Sequence, residues 1–215
     1  MDTLTSSKAE PPSLGSNPQR NDALIRAADE LLDESGLEGL TIRAVLLRSG
    51  LARRAFYEQF NGKDDLVLAV FERTLSFAAE HFRQEAEHAA DPVEALRRIV
   101  DGLVIGQLGF GGPGTGRRSA ALSREHLRLA ESRPQELQKA LSPLIALIAE
   151  ELAKGVAMGL LRECDPRLQA SLVYNFVSAT IHVELLAEEG GQPDRARRDQ
   201  LAGVIWEFCR RAVIV

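Results

Sequence analysis

Apolar side chains recur along this chain at intervals of three and four residues, the spacing that lines up one face of a helix. The first stripe, Leu24, Ala28, Leu31 and Leu32, follows the start signal Asn17-Pro18 and stops at Gly36. Thr41, whose hydroxyl suits a helix N-cap, opens a short second helix with Ile42, Val45, Leu46 and Ser49 on one face, and Gly50 breaks it. A third helix is expected from about Ala52 to Phe60. A fourth starts near Lys63, after Asn61-Gly62, and carries Leu66, Val70, Phe71 and Phe77 towards Glu87. Asp91-Pro92, a cap followed by proline at the first helical position, opens a fifth with Leu96, Ile99, Val100, Leu103 and Leu108. Further helices are predicted from about Arg118 to Ser132, from Pro134 with Leu137, Leu141, Leu144, Ile145, Ile148 and Leu152, from about Asp165 to Glu189, and from about Pro193 to Val213. The last shows Leu201, Val204, Ile205, Phe208 and Ala212. The sum is an all-α chain of about nine helices, without the internal period of a repeat solenoid.

One segment interrupts this pattern. Residues 109 to 119, Gly-Phe-Gly-Gly-Pro-Gly-Thr-Gly-Arg-Arg-Ser, fit G-x-G-x-x-G and the first half of a phosphate-binding loop. That loop also needs a lysine and a hydroxyl where this chain has Arg117 and Arg118, and a strand before it where this chain has a helix. A flexible connection between two helices is therefore expected at 109–116.

Composition narrows the class. Residues 1 to 19 are rich in Ser, Pro and Thr, too poor in apolar area to offset the entropy of ordering, and read as a flexible tail. No uninterrupted apolar run approaches the roughly 20 residues of a membrane-spanning helix, and the N-terminus has no apolar signal region. Two cysteines, Cys164 and Cys209, far apart and without a C-x-x-C pair, suit a reducing compartment and argue against zinc. A cytoplasmic protein without cofactor or membrane partner is expected.

The formal charge of −5 would count against a nucleic-acid partner if it were evenly spread. It is not. In residues 41 to 63, TIRAVLLRSGLARRAFYEQFNGK, two short helices are joined by Ser49-Gly50-Leu51, the plan of a helix-turn-helix. Over residues 41 to 60, Arg43, Arg48, Arg53 and Arg54 stand against Glu58 alone, a local charge of +3. The acids of the first helix, Asp29, Glu30, Asp33 and Glu34, are expected to face solvent on the far side. Helical spacing stacks Phe56 on Phe60, to be buried with Val45 and Leu51, and leaves Arg54 and Tyr57 outside. Arg53 lies nearer the apolar side, but in a first turn its long side chain can project past the helix end.

With these residues in view, the segment from about Pro18 to Val70 resembles the DNA-binding domain of TetR-family transcriptional regulators. The likeness consists of Ala27-Ala28, Gly36, Thr41, Gly50, Phe56-Tyr57, Phe60, Lys63 and Leu66, with a weaker echo in Gly159-Leu160-Leu161-Arg162 before Asp165-Pro166. Ala52 replaces a frequent serine cap, and Arg54 a frequent glycine. The resemblance implies that Thr41, Tyr57 and Lys63 hold phosphates, Lys63 aided by the dipole of the fourth helix, while Arg43, Arg53, Arg54 and Gln59 face the bases. Arginine pairs with guanine and glutamine with adenine, each good pair discriminating by about 1–3 kcal/mol.

The resemblance also divides the chain: a helix-turn-helix domain at 20–66 and a helical ligand-binding and dimerisation domain at 67–215. The helix from about Asp165 to Glu189 is apolar on more than one side and needs a second surface as well as a core, so it and the last helix are expected to form a homodimer interface. Candidates for an inducer pocket are Ile99, Leu103, Gln107, Phe110, Leu144, Tyr174, Asn175, Ser178 and His182, with the glycine segment as its mobile lip. An enzyme is not expected. Glu85 and His88 form one E-x-x-H where a di-iron bundle needs two, and no G-x-S-x-G, H-E-x-x-H or cysteine-histidine nucleophile is present. The expected function is a homodimeric, inducer-released repressor on a palindromic operator. The alternative is a helical small-molecule-binding or scaffold protein without operator binding.

Overall fold

The computed structural model describes residues 18–108, 115–187 and 195–214. Among them are nine helices and no strand: α1 (Pro18–Gly39), α2 (Ile42–Ser49), α3 (Arg53–Tyr57), α4 (Lys63–Glu87), α5 (Pro92–Leu108), α6 (Thr115–Ser132), α7 (Pro134–Ala157), α8 (Pro166–Ala187) and α9 (Arg195–Val213). This is the all-α architecture expected from the periodicity. One isolated antiparallel bridge, Leu161 to Ile214, ties the α7–α8 corner to the end of α9.

Local signals explain most boundaries. Thr41 Oγ1 accepts from Ala44 N at 3.1 Å and so caps α2, while Gly50 ends it at φ 68°, a left-handed value that costs a side-chain-bearing residue energy. Gly36, at φ 63°, kinks α1 three residues before its end. α3 is shorter than predicted. Ala52 offers no side-chain cap, and after Tyr57 the N–H groups of Gln59 and Phe60 both donate to the Phe56 carbonyl at 2.9 Å, closing a turn in place of another helical turn. Residues 1–17 of the expected tail lie outside the described residues, and Pro18 and Gln19 already belong to α1. Residues 109–114 of the glycine segment also lie outside them, whereas Thr115 and Gly116 are the first residues of α6 and not part of a loop.

Two hydrophobic cores form. The smaller is built from Leu24, Leu32, Leu40, Val45, Phe56 and Leu66, with Ala121 arriving from α6. The larger gathers the rest of α4 with α5 to α9 around residues such as Phe71, Ile99, Leu144, Leu152 and Ile181. α4 serves both: Val67 and Val70 pack into the smaller core, Leu68, Phe71, Leu75 and Phe82 into the larger. The cores thus overlap along one unbroken helix and do not divide sharply at residue 66.

Individual members of two predicted apolar stripes point outward. Phe77 is 76% exposed. In α9 the residues that enter the core are Ile205, Cys209 and Val213, at i, i+4 and i+8, leaving Val204 and Phe208 outside. By length and composition alone α8 is long and apolar enough to cross a bilayer, although Arg167 and Glu184 interrupt its apolar run. Half of that apolarity is spent internally: Ala170, Val173, Val177 and Ile181 are buried in the main core, while Leu168, Leu172, Val183 and Leu186 remain exposed.

Candidate nucleic-acid interface and ligand cavity

The packing of α2 and α3 fixes what faces outward. Val45, Phe56 and Phe60 are buried, Leu51 half-buried, and the Phe56 ring meets the edge of Tyr57 at 5.3 Å. Tyr57 itself is 46% exposed. Arg43, Arg53 and Tyr57, with Ile42 and Leu46, line one shallow concavity of about 410 Å³. The Arg53 guanidinium lies 5.5 Å from the Tyr57 ring centre, with Nη2 3.4 Å from the hydroxyl, a cation–π contact that holds both side chains at the surface. The structure therefore brings together three of the predicted contact residues from two helices.

The others stand apart from that group. The Arg54 side chain is 80% exposed and bonds Glu58 at 2.9 Å, one turn on. Glu58 also receives Arg20 from α1 at 3.4 Å. Gln59 is half-buried in the turn after α3. Thr41 is exposed with its oxygen engaged as the α2 cap. Lys63 opens α4, but its ammonium donates to the Leu37 carbonyl at 3.1 Å, leaving two of its three protons for another partner. Two acids share its turn, Asp64 bonded to Arg128 at 3.0 Å and Asp65 to Arg133 at 2.6 Å. Arg133 and then Asn61 hold the Asp65 carboxyl below its ordinary range.

The acids of α1 do not simply face solvent. Glu34 and Glu30 take Arg48 at 2.6 and 3.1 Å, and that hydrogen bonding depresses Glu34 and raises Arg48. The charge of Arg48 is thereby balanced, as that of Arg54 is by Glu58, and the basic character of the α2–α3 face rests chiefly on Arg43 and Arg53. Asp29 takes two arginines, Arg73 from α4 and Arg118 from α6, the latter at 2.9 Å. Arg118 also donates to Thr74 Oγ1 at 2.7 Å, and Arg117 donates to the Glu34 carbonyl. The residues that fail the phosphate-loop pattern are thus the ones that bind α6 to α1 and α4.

A second site lies in the larger core. α4, α5, α6 and α8 enclose a mostly apolar cavity of about 290 Å³. Leu103, Gln107, Tyr174, Asn175, Ser178 and His182, all predicted, line it. Ile99 and Leu144 do not: both are fully buried among the helices of the main core, their stripes facing neighbouring helices. Phe110 lies outside the described residues. Sequence reasoning missed the α6 wall, Ser119, Ser123 and His126, although their i, i+4, i+7 spacing is a polar stripe beside the apolar Leu122.

The polar groups of the cavity pair with one another. Gln107 Nε2 donates to Ser178 Oγ at 3.2 Å, Ser123 Oγ lies 2.8 Å from His182 Nδ1, and Tyr174 Oη lies 3.5 Å from His126 Nδ1. Burial pushes the Tyr174 phenol up to about 12, Ser178 partly opposing, and the same burial, then His182, pushes His126 down. Both groups are neutral near pH 7. An imidazole that resists protonation when folded favours the unfolded chain once that chain takes up the proton, so stability is full above the unfolded value of about 6.5 and declines as pH falls below it. Thermal melts at pH 7.5 and 5.5 should show a smaller acid-induced drop in Tm for His126→Phe than for wild type; equal drops would assign the acid sensitivity to other groups.

Known proteins share these features. Residues 24–70 match the family model described as bacterial regulatory proteins, tetR family. The HTH-type transcriptional regulator BetI of Stenotrophomonas maltophilia is 34% identical over 92 residues, which cover 42% of this chain and 47% of that protein. The match thus spans about half the relative's length. YhgD of Bacillus subtilis, an uncharacterised HTH-type regulator, is 21% identical over 86% of this chain and 92% of its own. Among solved structures, the regulator FadR of Bacillus subtilis, in complex with stearoyl-CoA, has the same fold with a TM-score of 0.69 at 18% identity, covering 87% of this chain and 96% of that one. Residues 24–70 thus carry the helix-turn-helix segment of the tetR family of bacterial regulatory proteins, and the nine described helices share their fold with solved regulators.

Proposed function

We propose that this protein is a ligand-responsive transcriptional regulator that binds operator DNA through α2 and α3, in the repressor role, and is released by a small molecule in the α4–α5–α6–α8 cavity. The observation that carries this reading is the convergence of Arg43, Arg53 and Tyr57 on one exposed concavity beside a capped helix-turn-helix. α3 supplies side chains to the major groove, and Thr41, Tyr57 and Lys63 position the backbone.

A palindromic operator needs two copies. The exposed edge of α8, with Leu168, Leu172, Val183 and Leu186, continues onto α9 through Phe176 and Phe208, stacked at 4.3 Å. Covering that face with its own symmetry mate gives a four-helix dimer interface. Light scattering after size exclusion is expected to give a dimer at micromolar concentration; a monomer there would remove this part of the reading.

α6 supplies the coupling. One of its faces, Ser119, Leu122, Ser123 and His126, lines the cavity, and Arg117, Arg118 and Ala121 engage α1 and the smaller core. A ligand that favours a different seating of α6 shifts the α1–α3 unit and so the separation of the two recognition helices, which requires different affinity for the two states.

Fluorescence anisotropy on DNA from upstream of the gene, with random duplex as control, tests the reading. Arg54→Ala is expected to erode the preference for the specific duplex by about 1–3 kcal/mol. Tyr57→Phe is expected to weaken binding to both duplexes alike. Equal losses on both DNAs for both variants would refute this division, and no binding to either by the wild type would refute the regulator reading.

A further inference from the structure

The ligand cavity has a neighbour. A second, more open cavity of about 590 Å³ lies between α6, α7 and α8 and shares His126, Tyr174 and Asn175 with the first as a common wall. Its remaining lining includes Leu137, Leu141 and Ile145 on α7 and Arg167 and Ser171 on α8. Among the described residues no aspartate or glutamate lines either cavity, and the ionisable groups are His126, His182, Arg167 and Tyr174. Of these Arg167 is the cation, burial holds the His126 imidazole neutral, and Tyr174 is a phenol kept neutral by burial, pushed up to about 12. Asp165, next in sequence to Pro166, caps α8 through the Arg167 and Leu168 N–H groups and does not line the cavity.

This distribution of charge selects the ligand. An organic cation would lose its hydration without meeting a carboxylate, whereas an anion meets the Arg167 guanidinium. The inner cavity, walled by Phe71, Leu75, Phe82, Leu103 and Leu122, suits an apolar body. The partition is weakly held, because the 3.5 Å between Tyr174 Oη and His126 Nδ1 is at the outer limit of a hydrogen bond. We propose that the two cavities are halves of one site for an amphipathic organic acid, whose apolar body fills the inner cavity and whose ionised group lies in the outer one against Arg167. The proposal rests on the inner cavity being the effector site of the regulator.

Calorimetric titration of the full chain with octanoate, 1-octanol and octylamine, which share an alkyl chain and differ in head group, tests it. Octanoate should bind roughly fivefold to tenfold more tightly than 1-octanol, the scale of one charge-assisted contact, with octylamine weakest. Arg167→Gln, at an exposed position that leaves the fold intact, should bring octanoate to parity with 1-octanol without changing the alcohol. Ala78→Phe, which intrudes on the inner cavity, should weaken octanoate and 1-octanol together. Octylamine or 1-octanol binding as tightly as octanoate, an octanoate affinity unchanged in Arg167→Gln, or no octanoate binding at all would overturn the proposal. Binding of the ligand-free protein to DNA, measured in parallel, reports on the regulator reading alone.

Discussion

Phe56→Ala is expected to destabilise the smaller core by about 3–5 kcal/mol, the usual cost of deleting a buried aromatic ring. Phe56 is fully buried, packs on Phe60 at 5.7 Å and supports Tyr57 from below. α2 and α3, only 8 and 5 residues long, are too short to persist as isolated helices and depend on this packing. Domain stabilities are themselves of order 5–15 kcal/mol, so the loss should leave the α1–α3 unit only marginally stable at ambient temperature, unfolding at low urea. The larger core, which does not contain Phe56, should survive. Urea titration separates the two, since the single tryptophan, Trp206, packs against the larger core while circular dichroism reports all helices. For the variant the dichroism should fall in two steps, with fluorescence following only the second. A single coincident transition at the wild-type midpoint would show that Phe56 does not hold the smaller core.

The second large effect is expected at Asp29. Its carboxylate, 18% exposed, accepts Arg73 and Arg118, joining α1, α4 and α6 at one point. Removing one partner of a buried ion pair costs about 3–5 kcal/mol, and the 28% and 34% exposure of these two arginines lowers that to about 1.5–3 kcal/mol. Asp29→Ala leaves Arg73 with Asp22 and Arg118 with the Thr74 hydroxyl, and Arg118 Nε already lacks a hydrogen-bond partner among the described residues. A double-mutant cycle with Arg118→Ala should therefore give a coupling energy of about 1 kcal/mol or more. The same pair should loosen the link between cavity and DNA: the variant should still bind DNA, but added effector should change its affinity less than in wild type. Additive stabilities and an unchanged effector response would show that the ion pairs are incidental.

The helical pattern, the caps at Thr41 and Gly50 and the burial of Phe56 and Phe60 were legible because each depends on spacing within a few residues. Tyr57 and Arg54 came out exposed for the same reason. What the helical wheel could not show is how solvent-side charges pair between helices: Arg48 is a basic residue of α2 in sequence and half of an internal network with α1 in three dimensions. The pocket divides the same way. Tyr174, Ser178 and His182 share one face of α8 and were found together, while Ile99 and Leu144 have the right character on faces that meet other helices. In sequence Arg117 and Arg118 belong only to a failed motif, because their role depends on Glu34 and Asp29, more than eighty positions away.

With Arg48 held by Glu30 and Glu34 and Arg54 by Glu58, the α2–α3 face has few uncompensated cations left to displace the ions condensed on a duplex. Each phosphate neutralised steepens the logarithmic salt dependence of binding by roughly 0.9, so a sparse face responds gently to ionic strength and holds bulk DNA only briefly. For the operator-binding regulator proposed above, sojourns on random sequence are then short, and the residence time at an operator depends on base and shape complementarity more than on charge.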